Sequence, residues 1–313
     1  MIIVTGGLGF IGYNIILELN KKFIDEIIIV ENIKNTSSLD IKLKRLKNIK
    51  FLDLFDRTEI KNWEDFIKSQ KVECVIHQGA CTNTLEKNFS YLWENNYVYT
   101  KNLIDACINT NTKLIYASSA SVYGNKNYKV TEEENMDPLN YYAYSKFLID
   151  NYFLKSSSIL KKKNRIVGLR YFNVYGPYEE NKNEMSSVVF KFYNQLKKEG
   201  MLYLFEGSEN FKRDFIFVED IVKINIFFMQ NEHSGIYNCG TGISESFLKL
   251  AEKVVDKIGF GKIEFVPFPE NLKNQYQKFT QADNTKIKTI LKEDFTTLEE
   301  GVSKYVEYLM KNE

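Results

Sequence analysis

Tyr142 and Lys146 stand four residues apart in the stretch from Leu139 to Asp150, which we predict to be helical. Residues at this spacing share one face of a helix, so a phenol lies beside an ammonium. The pKa of a free phenol is about 10, and a neighbouring positive charge favours its ionised form. The pair is therefore a candidate for moving a proton near neutral pH. Taken alone, the spacing also fits two residues on a solvated, tyrosine-rich helix face.

Ser119 is a second candidate, because it stands near the end of a predicted strand in the run from Tyr116 to Gly124 (YASSASVYG). Its hydroxyl can hydrogen-bond a reacting alcohol while a tyrosine takes the proton. Serines at strand ends are also common turn residues, so Ser119 alone carries little weight. His77, at another predicted strand end, fits a buried, hydrogen-bonded residue better than a catalyst.

Gly6, Gly9 and Gly12 have the G-x-x-G-x-x-G spacing directly after the first predicted strand. Such glycines allow a tight turn, approach of the backbone to a pyrophosphate and close packing of helix on strand. The helix that follows offers N–H donors and a positive dipole end to phosphate. Glu31 ends the second predicted strand, about 20 residues on, where a carboxylate accepts ribose hydroxyls. The sequence therefore predicts a bound dinucleotide.

Two more predicted strand ends extend this cofactor site. Asp53 follows the predicted third strand and is a candidate acceptor for the adenine amino group, although it fits a loop cap equally well. Gln78, Gly79 and Ala80 follow the fourth predicted strand, and small residues there let the strand end lie against a ligand.

In the elements that position these residues, short β-branched runs alternate with amphipathic stretches. This alternation predicts a fold of the α/β class with a Rossmann-type, doubly wound parallel sheet. The predicted strands are Ile2 to Thr5, Glu26 to Val30, Ile49 to Leu52, Val72 to His77, Leu114 to Ala117 and Ile166 to Leu169. The predicted helices lie near residues 10–20, 58–70, 89–110, 140–160, 185–199 and 219–230. Ligands of such sheets bind at the carboxyl ends of the strands, where the candidate residues meet.

After residue 172 the alternation loosens into long irregular segments, which predicts a second, smaller α/β domain for the substrate. We expect the dinucleotide-binding domain at residues 1–172, with returning segments near 214–240. The substrate-binding domain is expected at 173–213 and in part of 241–313.

Composition excludes several other classes of function. The 313 residues include 42 basic and 41 acidic side chains, and a net charge of +1 does not favour nucleic acid or an anionic membrane as partner. The cysteines Cys74, Cys81, Cys107 and Cys239 lack C-x-x-C spacing, and with two histidines no metal site is expected. A reducing, cytoplasmic compartment fits this usage. We find neither a signal peptide nor a run of about 18 apolar residues.

The glycine motif, Ser119, Tyr142 and Lys146 together resemble the extended short-chain dehydrogenase/reductases that act on nucleotide sugars, the NAD-dependent epimerase/dehydratase family. The resemblance implies that Tyr142 is the acid/base. It also implies that Lys146 holds the nicotinamide ribose and lowers the pKa of the tyrosine, and that Ser119 orients the sugar hydroxyl. The segment from Ser118 to Ser121 lacks the Asp-Glu pair of the related sugar dehydratases, which disfavours dehydration.

Later segments are similar to the ADP-glycero-manno-heptose 6-epimerases of that family. The similarity rests on Arg170 to Pro177 (RYFNVYGP), Leu204 to Phe215 (LFEGSENFKRDF), Phe265 to Pro269 and Thr280 to Asp283. It implies an NAD(P)-dependent isomerase that inverts carbon 6 of ADP-D-glycero-D-manno-heptose through a transient 6-keto sugar, for lipopolysaccharide core synthesis. The alternatives are a 4-epimerase of another nucleotide hexose and a non-catalytic dinucleotide sensor.

The resemblance assigns further residues. Lys182 becomes the second acid/base, although in the polar loop from Glu179 to Glu184 it also fits a solvated lysine. Arg213 suits the substrate pyrophosphate through its guanidinium, and a surface ion pair with Asp214 is the alternative. The implied substrate contacts are Ser119, Asn173, Phe205, Glu206, Gly207, Ser208, Arg213 and Tyr276. The expected cofactor contacts are Gly6, Gly9, Phe10, Ile11, Gly12, Glu31, Asn32, Asp53, Leu54, Gln78, Gly79, Ala80, Asn95, Lys146, Val174 and Lys182.

The sequence predicts the identity of the cofactor and the oligomeric state less directly than it predicts the site. Glu31 repels a 2′-phosphate, which favours NAD, whereas the resemblance implies NADP with a lysine shortly after the second strand. The matching position is Ser38 and Lys34 is the candidate substitute, so we expect NADP, with NAD as the alternative. Glu184 and Lys191 replace a serine and a histidine of the best-known members, which brings a carboxylate near the expected sugar. The resemblance also implies a homo-oligomer, with a pentamer as the candidate.

Overall fold

The computed structural model describes residues 1–34, 38–160, 165–269 and 277–312. The strands within them are β1 (Ile2–Thr5), β2 (Ile27–Glu31), β3 (Asp53–Asp56), β4 (Cys74–His77), β5 (Lys113–Ser119), β6 (Ile166–Tyr171), β7 (Asn173–Tyr175), β8 (Met201–Phe205), β9 (Lys212–Arg213), β10 (Phe215–Phe217), β11 (Gly235–Cys239), β12 (Glu245–Ser246) and β13 (Lys262–Val266).

The helices of the same residues flank these strands. They are α1 (Phe10–Lys21), α2 (Leu39–Leu46), α3 (Trp63–Ser69), α4 (Phe89–Leu92), α5 (Tyr99–Thr110), α6 (Tyr141–Leu160), α7 (Val188–Glu199), α8 (Val218–Gln230), α9 (Phe247–Ile258), α10 (Thr285–Leu291) and α11 (Leu298–Lys311). A π-helical turn, Trp93–Val98, joins α4 to α5, and 3₁₀ turns span Ala120–Tyr123 and Glu180–Met185.

Seven of the described strands form one parallel sheet in the order β11-β6-β5-β4-β1-β2-β3. The strand order reverses between β1 and β4, which creates the crevice where ligands of doubly wound sheets bind. The predicted Rossmann-type α/β fold is therefore confirmed. None of the helices in the described residues is long and apolar enough to cross a membrane.

Both faces of the sheet are covered, so its central strands are apolar on both sides. In β1, Ile2 and Val4 pack into the layer that contains α1 and α8, whereas Ile3 packs into the layer with α3 and α5. This alternation follows from the two-residue period of a strand. Packing on both faces fixes the position of the carboxyl end of β1 in the sheet, and with it the position of the glycine loop.

A second apolar core lies beyond the sheet, as the sequence predicted for a smaller α/β unit. The helices α7, α9 and α11 contribute Leu196, Val254 and Val306, which are fully buried. They pack on β8, which pairs in parallel with β13. The residue limits of the two domains remain a prediction.

The third strand was predicted in the wrong place. β3 is Asp53–Asp56, whereas the predicted run from Ile49 to Leu52 leads into it, with the Leu52 side chain 57% exposed. β3 is an edge strand, and apart from Asp56 its residues are exposed or half-buried, so apolar patterning marks it poorly. The error moves Asp53 from the carboxyl end of the strand to its first residue.

Other differences concern helices and one strand. The prediction missed α2, which has exposed apolar residues such as Leu43, and it missed β11 in the sheet. The helix predicted near 58–70 begins only at Trp63, because the Asn62 side chain accepts from the backbone N–H groups of Glu64 and Asp65 and caps it there. The long irregular segments expected after residue 172 instead contain α9, α10 and α11.

Candidate active site

A cleft of about 760 Å³ opens at the carboxyl ends of β1, β4, β5 and β6. The predicted site residues that line it are Gly6, Gly9, Phe10, Ile11, Gly12, Glu31, Gln78, Gly79, Ala80, Ser119, Tyr142, Lys146, Asn173, Val174 and Lys182. An adjoining cavity of about 170 Å³ shares Glu31, Gly79 and Ala80 with the cleft and adds Asn32 and Asn95. The fold thus brings most of the predicted residues together.

The glycine loop is packed so closely that two of its positions exclude a side chain. Gly6 has φ +64°, and a Cβ there would lie 2.6 Å from the Gly79 nitrogen. A Cβ on Gly12 would lie 2.3 Å from the Gly6 carbonyl oxygen. Gly9 is the N-cap of α1 and offers no side chain to the amides of its first turn. Those amides and the dipole end of α1 fit a pyrophosphate.

Tyr142, Lys146 and Ser119 meet at the end of β5. Tyr142 and Lys146 occupy successive turns of α6 and are 9% and 3% exposed. The Lys146 Nζ donates to the Ala117 carbonyl at 2.8 Å, which fixes α6 against β5. Ser119 hydrogen-bonds Tyr142 and also accepts from the Ser121 N–H at 3.2 Å. Ser119 is therefore both a turn residue and a neighbour of the phenol.

Burial dominates the electrostatics of this trio. It lowers the pKa of Lys146 to about 8, although nearby Asp150 acts in the opposite direction. Burial also raises the pKa of Tyr142, and the hydrogen bond with Ser119 lowers it only in part. The net shift is therefore upward, because loss of solvent outweighs the hydrogen bond, and the lowering expected from Lys146 stays a prediction. The chain alone holds Tyr142 as a neutral phenol at pH 7.

Asn96 is a buried link that the sequence reasoning missed. Its Nδ2 donates to the Cys81 carbonyl and to the Ser145 Oγ at 3.0 Å each, and its Oδ1 accepts from the Cys81 N–H at 2.9 Å. Ser145 lies between Tyr142 and Lys146 on α6. Asn96 therefore connects the cleft wall after β4 to the helix that carries both residues. A polar Asn-Asn pair inside a predicted helix was the available signal, and π-helical turns often mark functional sites.

Glu31 has its charge compensated inside the site. Its carboxylate accepts from the N–H groups of Leu8 at 3.0 Å and Asn32 at 2.8 Å. The Lys42 Nζ, on the unpredicted helix α2, lies 3.2 Å from it and is almost fully buried. Lys34, the substitute expected from the sequence, instead pairs with exposed Glu59 at 2.8 Å and lines neither cavity of the described chain.

Arg57 is another lining residue that the sequence reasoning missed. It faces the smaller cavity and donates to the Asn95 Oδ1, while its buried Nε has no hydrogen-bond partner among the described residues. Asp53 and Leu54 do not line either cavity in the described part of the chain, because they begin β3 rather than follow it. The proposed adenine contact of Asp53 is therefore not supported by its position.

Lys182 reaches the cleft from the 3₁₀ turn Glu180–Met185. Its Nζ lies 5.0 Å from the centre of the Phe10 ring and 4.0 Å from the Glu179 carboxylate. Burial lowers the pKa of Lys182, and Glu179 offsets this in part. With a side chain that is 24% exposed and lines the cleft, Lys182 is half-buried, which fits a fully solvated lysine poorly.

The two departures from the family pattern do not disturb the cleft. The Lys191 Nζ donates to the Glu184 carbonyl at 2.7 Å. Neither side chain belongs to the described lining of the cleft, so the carboxylate expected near the sugar is absent from that lining.

The expected nucleotide contacts of the second unit do not belong to the described lining of the cleft. Phe205, Glu206, Gly207, Ser208 and Arg213 are not among its described lining residues, whereas Gln277 is. Phe205 packs edge-on against Phe268, with ring centres 5.2 Å apart. Arg213 donates to the Gln277 carbonyl, so one residue separates it from the cleft. Arg213 and Asp214 are both buried, which excludes a surface ion pair. Tyr276 lies outside the described residues.

His77 is buried and hydrogen-bonded, as predicted. Its Nδ1 lies 2.6 Å from the Thr5 hydroxyl and its Nε2 lies 2.8 Å from the Thr100 hydroxyl. Burial and the nearby charge of Lys146 lower its pKa to about 3, so the ring is neutral at pH 7. It braces β4 against β1 beneath the cleft.

Comparisons with known proteins agree with this site. The model of the NAD dependent epimerase/dehydratase family matches residues 2–240. The chain is 46% identical over 317 residues to ADP-L-glycero-D-manno-heptose-6-epimerase of Brachyspira hyodysenteriae (strain ATCC 49526 / WA1), covering 100% of this chain and 98% of that protein.

Solved structures agree in fold over the whole chain. ADP-L-glycero-D-manno-heptose-6-epimerase of Helicobacter pylori matches with a TM-score of 0.85 at 29% identity, covering 99% of this chain and 96% of that one. UDP-N-acetylglucosamine 4-epimerase of Methanobrevibacter ruminantium M1 matches with a TM-score of 0.85 at 25% identity, covering 100% and 98%. On the strength of its site, fold and relatives, this chain belongs to the NAD dependent epimerase/dehydratase family.

Proposed function

We propose that the protein is an epimerase that inverts carbon 6 of ADP-D-glycero-D-manno-heptose to give the L-glycero-D-manno epimer. The observation that carries the proposal is the meeting of two proton-transfer candidates, Tyr142 and Lys182, in one cleft beside the glycine loop. The 46% identity with a heptose 6-epimerase over the whole chain supports the choice of sugar.

The chemistry requires oxidation followed by reduction. Carbon 6 is a secondary alcohol without an acidic C–H, so removing and returning a proton cannot invert it. When bound, a nicotinamide would supply this chemistry as a hydride acceptor and donor, so that inversion would pass through a 6-keto sugar that is reduced again from its other face. Inversion moves the oxygen to the opposite side, so one proton-transfer group serves each orientation.

Tyr142 and Lys182 are the two groups in this proposal. Tyr142 takes or returns the hydroxyl proton in one orientation. Ser119, the hydrogen-bond neighbour of Tyr142, would hold the same hydroxyl of the sugar. Lys182 does the same in the other orientation, and burial shifts its pKa in the direction that favours the neutral amine. Lys146 uses one of its three N–H donors on Ala117, which leaves others for the nicotinamide ribose.

We assign NADP as the cofactor, with NAD as the alternative. Lys42 offsets the negative charge of Glu31, which removes the main obstacle to a 2′-phosphate. Arg57 faces the cavity next to Glu31, and its buried Nε has no partner within the described part of the chain. A guanidinium suits phosphate oxygens. Lys42 and Arg57 replace Lys34 in this role.

Substrate binding, assembly and location complete the proposal. Asn173 lines the cleft and its Oδ1 accepts from the Thr280 hydroxyl at 3.2 Å, so both suit the sugar hydroxyls. The nucleotide contacts of Arg213 and of Phe205 to Ser208 remain predictions, as does the homo-oligomer. The cysteines of the described residues are all free, which supports a reducing, cytoplasmic location.

Incubation of the purified protein with ADP-D-glycero-D-manno-heptose, without added reductant, tests the proposal. We expect the 6-epimer to appear in the NMR spectrum, and its absence would contradict the proposal. Faster conversion of a UDP- or GDP-hexose would favour a 4-epimerase instead. Tight cofactor binding without turnover of either sugar would favour a sensor.

A further inference from the structure

Arg45 joins two segments that are distant in sequence but adjacent at the cofactor side of the cleft. It lies on α2 and is only 5% exposed. One guanidinium nitrogen donates to the Leu8 carbonyl of the glycine loop at 2.6 Å. The other donates to the Tyr178 carbonyl at 2.5 Å and lies 3.6 Å from the Glu180 carboxylate. A planar guanidinium can hold both segments at once, which a lysine ammonium on a flexible stem cannot.

The segment held by Arg45 is fastened to the same side by other contacts. The Asn14 Nδ2, on α1, donates to the Pro177 carbonyl at 3.0 Å. The Tyr178 ring packs edge-on against Tyr13 of α1, with ring centres 4.9 Å apart. Tyr178 has φ +72°, a strained conformation that persists only where its surroundings impose it.

This segment leads directly into the turn that carries Lys182. The Lys182 N–H donates to the Glu179 carbonyl at 2.9 Å, next to the Tyr178 and Glu180 positions that Arg45 binds. Arg45 itself lines neither cavity of the described chain. Any effect of Arg45 on the reaction therefore passes through the groups that it holds.

We propose that Arg45 is a positioning residue for Lys182, because it fixes the turn that carries the lysine relative to the glycine loop. The proposal rests on the proposed function of Lys182 as a proton-transfer group. The glycine loop has its own supports, since Gly6 donates to the Val30 carbonyl and Leu8 to Glu31. Loss of the Arg45 fork should therefore disturb Lys182 more than it disturbs cofactor binding.

The variant Arg45→Lys tests this, because it keeps the charge and loses the fork. We expect kcat to fall about tenfold or more, since small misplacements of a reacting group are costly. The dissociation constant for NADPH, measured by fluorescence titration, should change less than about threefold. Lys44→Arg is the matched control, because it makes the reverse exchange at an exposed position on the same helix. It should behave as the unsubstituted protein.

A double-mutant cycle with Lys182→Met separates positioning from a general structural role. If Arg45 acts through Lys182, then Arg45→Lys should lower kcat less than about twofold in the Lys182→Met background. If Arg45→Lys lowers kcat by the same factor with and without Lys182→Met, the two residues act independently and the proposal is overturned. A loss of NADPH affinity as large as the loss of kcat would also overturn it, because Arg45 would then serve the glycine loop alone.

Two further measurements keep the proposal testable if a variant or the proposed function fails. If Arg45→Lys does not fold, Glu180→Gln removes one arm of the link, and its smaller loss of kcat should also vanish in the Lys182→Met background. If Lys182→Met retains full turnover, the proposed function of Lys182 fails. The link is then tested by the rate of Lys182 acetylation, followed by mass spectrometry. Acetylation of Lys182 should be at least about threefold faster in Arg45→Lys, and an unchanged rate would overturn the link.

Discussion

The ammonium of Lys182 lies 5.0 Å from the centre of the Phe10 ring, so a residue that follows β7 faces the first turn of α1. Phe10 begins the helix that follows the glycine loop, and both residues line the cleft. This contact distinguishes Lys182 from a lysine that faces only solvent. It places a second proton-transfer candidate beside the cofactor region.

Lys182→Met should lower turnover of the heptose substrate about 10²- to 10⁴-fold, because it removes a general acid/base and leaves an apolar stem of similar length. Bound cofactor, released and weighed by mass spectrometry, should remain. Lys198→Met is the control, since the Lys198 side chain is 82% exposed. Equal activity of the two variants would reject the role of Lys182.

Tyr142→Phe should lower turnover by a similar factor, about 10²- to 10⁴-fold, with the cofactor still bound, because only the phenolic oxygen is lost. Tyr144→Phe is the matched control on the same helix, and its side chain is 45% exposed. A single-turnover assay that follows nicotinamide absorbance reports whether oxidation of the sugar has stopped. Full activity of Tyr142→Phe would mean that another group moves the proton.

Arg57→Leu should raise the dissociation constant for NADP at least about tenfold and change the dissociation constant for NAD little. The reason is that the guanidinium is expected to contact the 2′-phosphate, which NAD lacks. Lys34→Ala should leave both constants unchanged, since Lys34 pairs with Glu59 away from the cavities. Isothermal titration with each nucleotide measures the constants. Equal losses for NADP and NAD would contradict the assignment of Arg57 to the phosphate.

His77 should make the protein less stable in mild acid. The unfolded chain binds a proton at His77 below about pH 6.5, whereas the folded chain binds it only near a pKa of about 3. Between these values the unfolded state holds the extra proton, so stability present above about pH 6.5 is lost as the pH falls toward 3.

Replacing His77 by Gln should therefore flatten the pH dependence. The fall in the free energy of unfolding between about pH 6 and pH 4 should become shallower by up to about 1.4 kcal/mol per pH unit, as measured by urea denaturation. His233→Gln is the matched control for loss of a histidine. An unchanged slope in His77→Gln would show that His77 is not shielded from protons.

Sequence patterning located the buried strands well and the exposed edge badly. β1 was predicted at its observed bounds, because its residues are buried on both faces and their apolar run is continuous. β3 was predicted too early in the chain, because most of its residues at the sheet edge are exposed or half-buried and its apolar pattern is weak. That error selected Asp53 for the adenine site and hid Arg57, which follows β3 directly.

The family, the Rossmann-type sheet and most of the residues that line the cleft could be predicted from the sequence, because glycine spacing and strand ends are local patterns. Features that depend on contacts between distant segments could not. Only packing shows that Lys42 compensates Glu31, that Asn96 joins the segment after β4 to α6, and that the Lys182 side chain is half-buried in the cleft. These features arise from burial and from long-range hydrogen bonds, which no short stretch of sequence records.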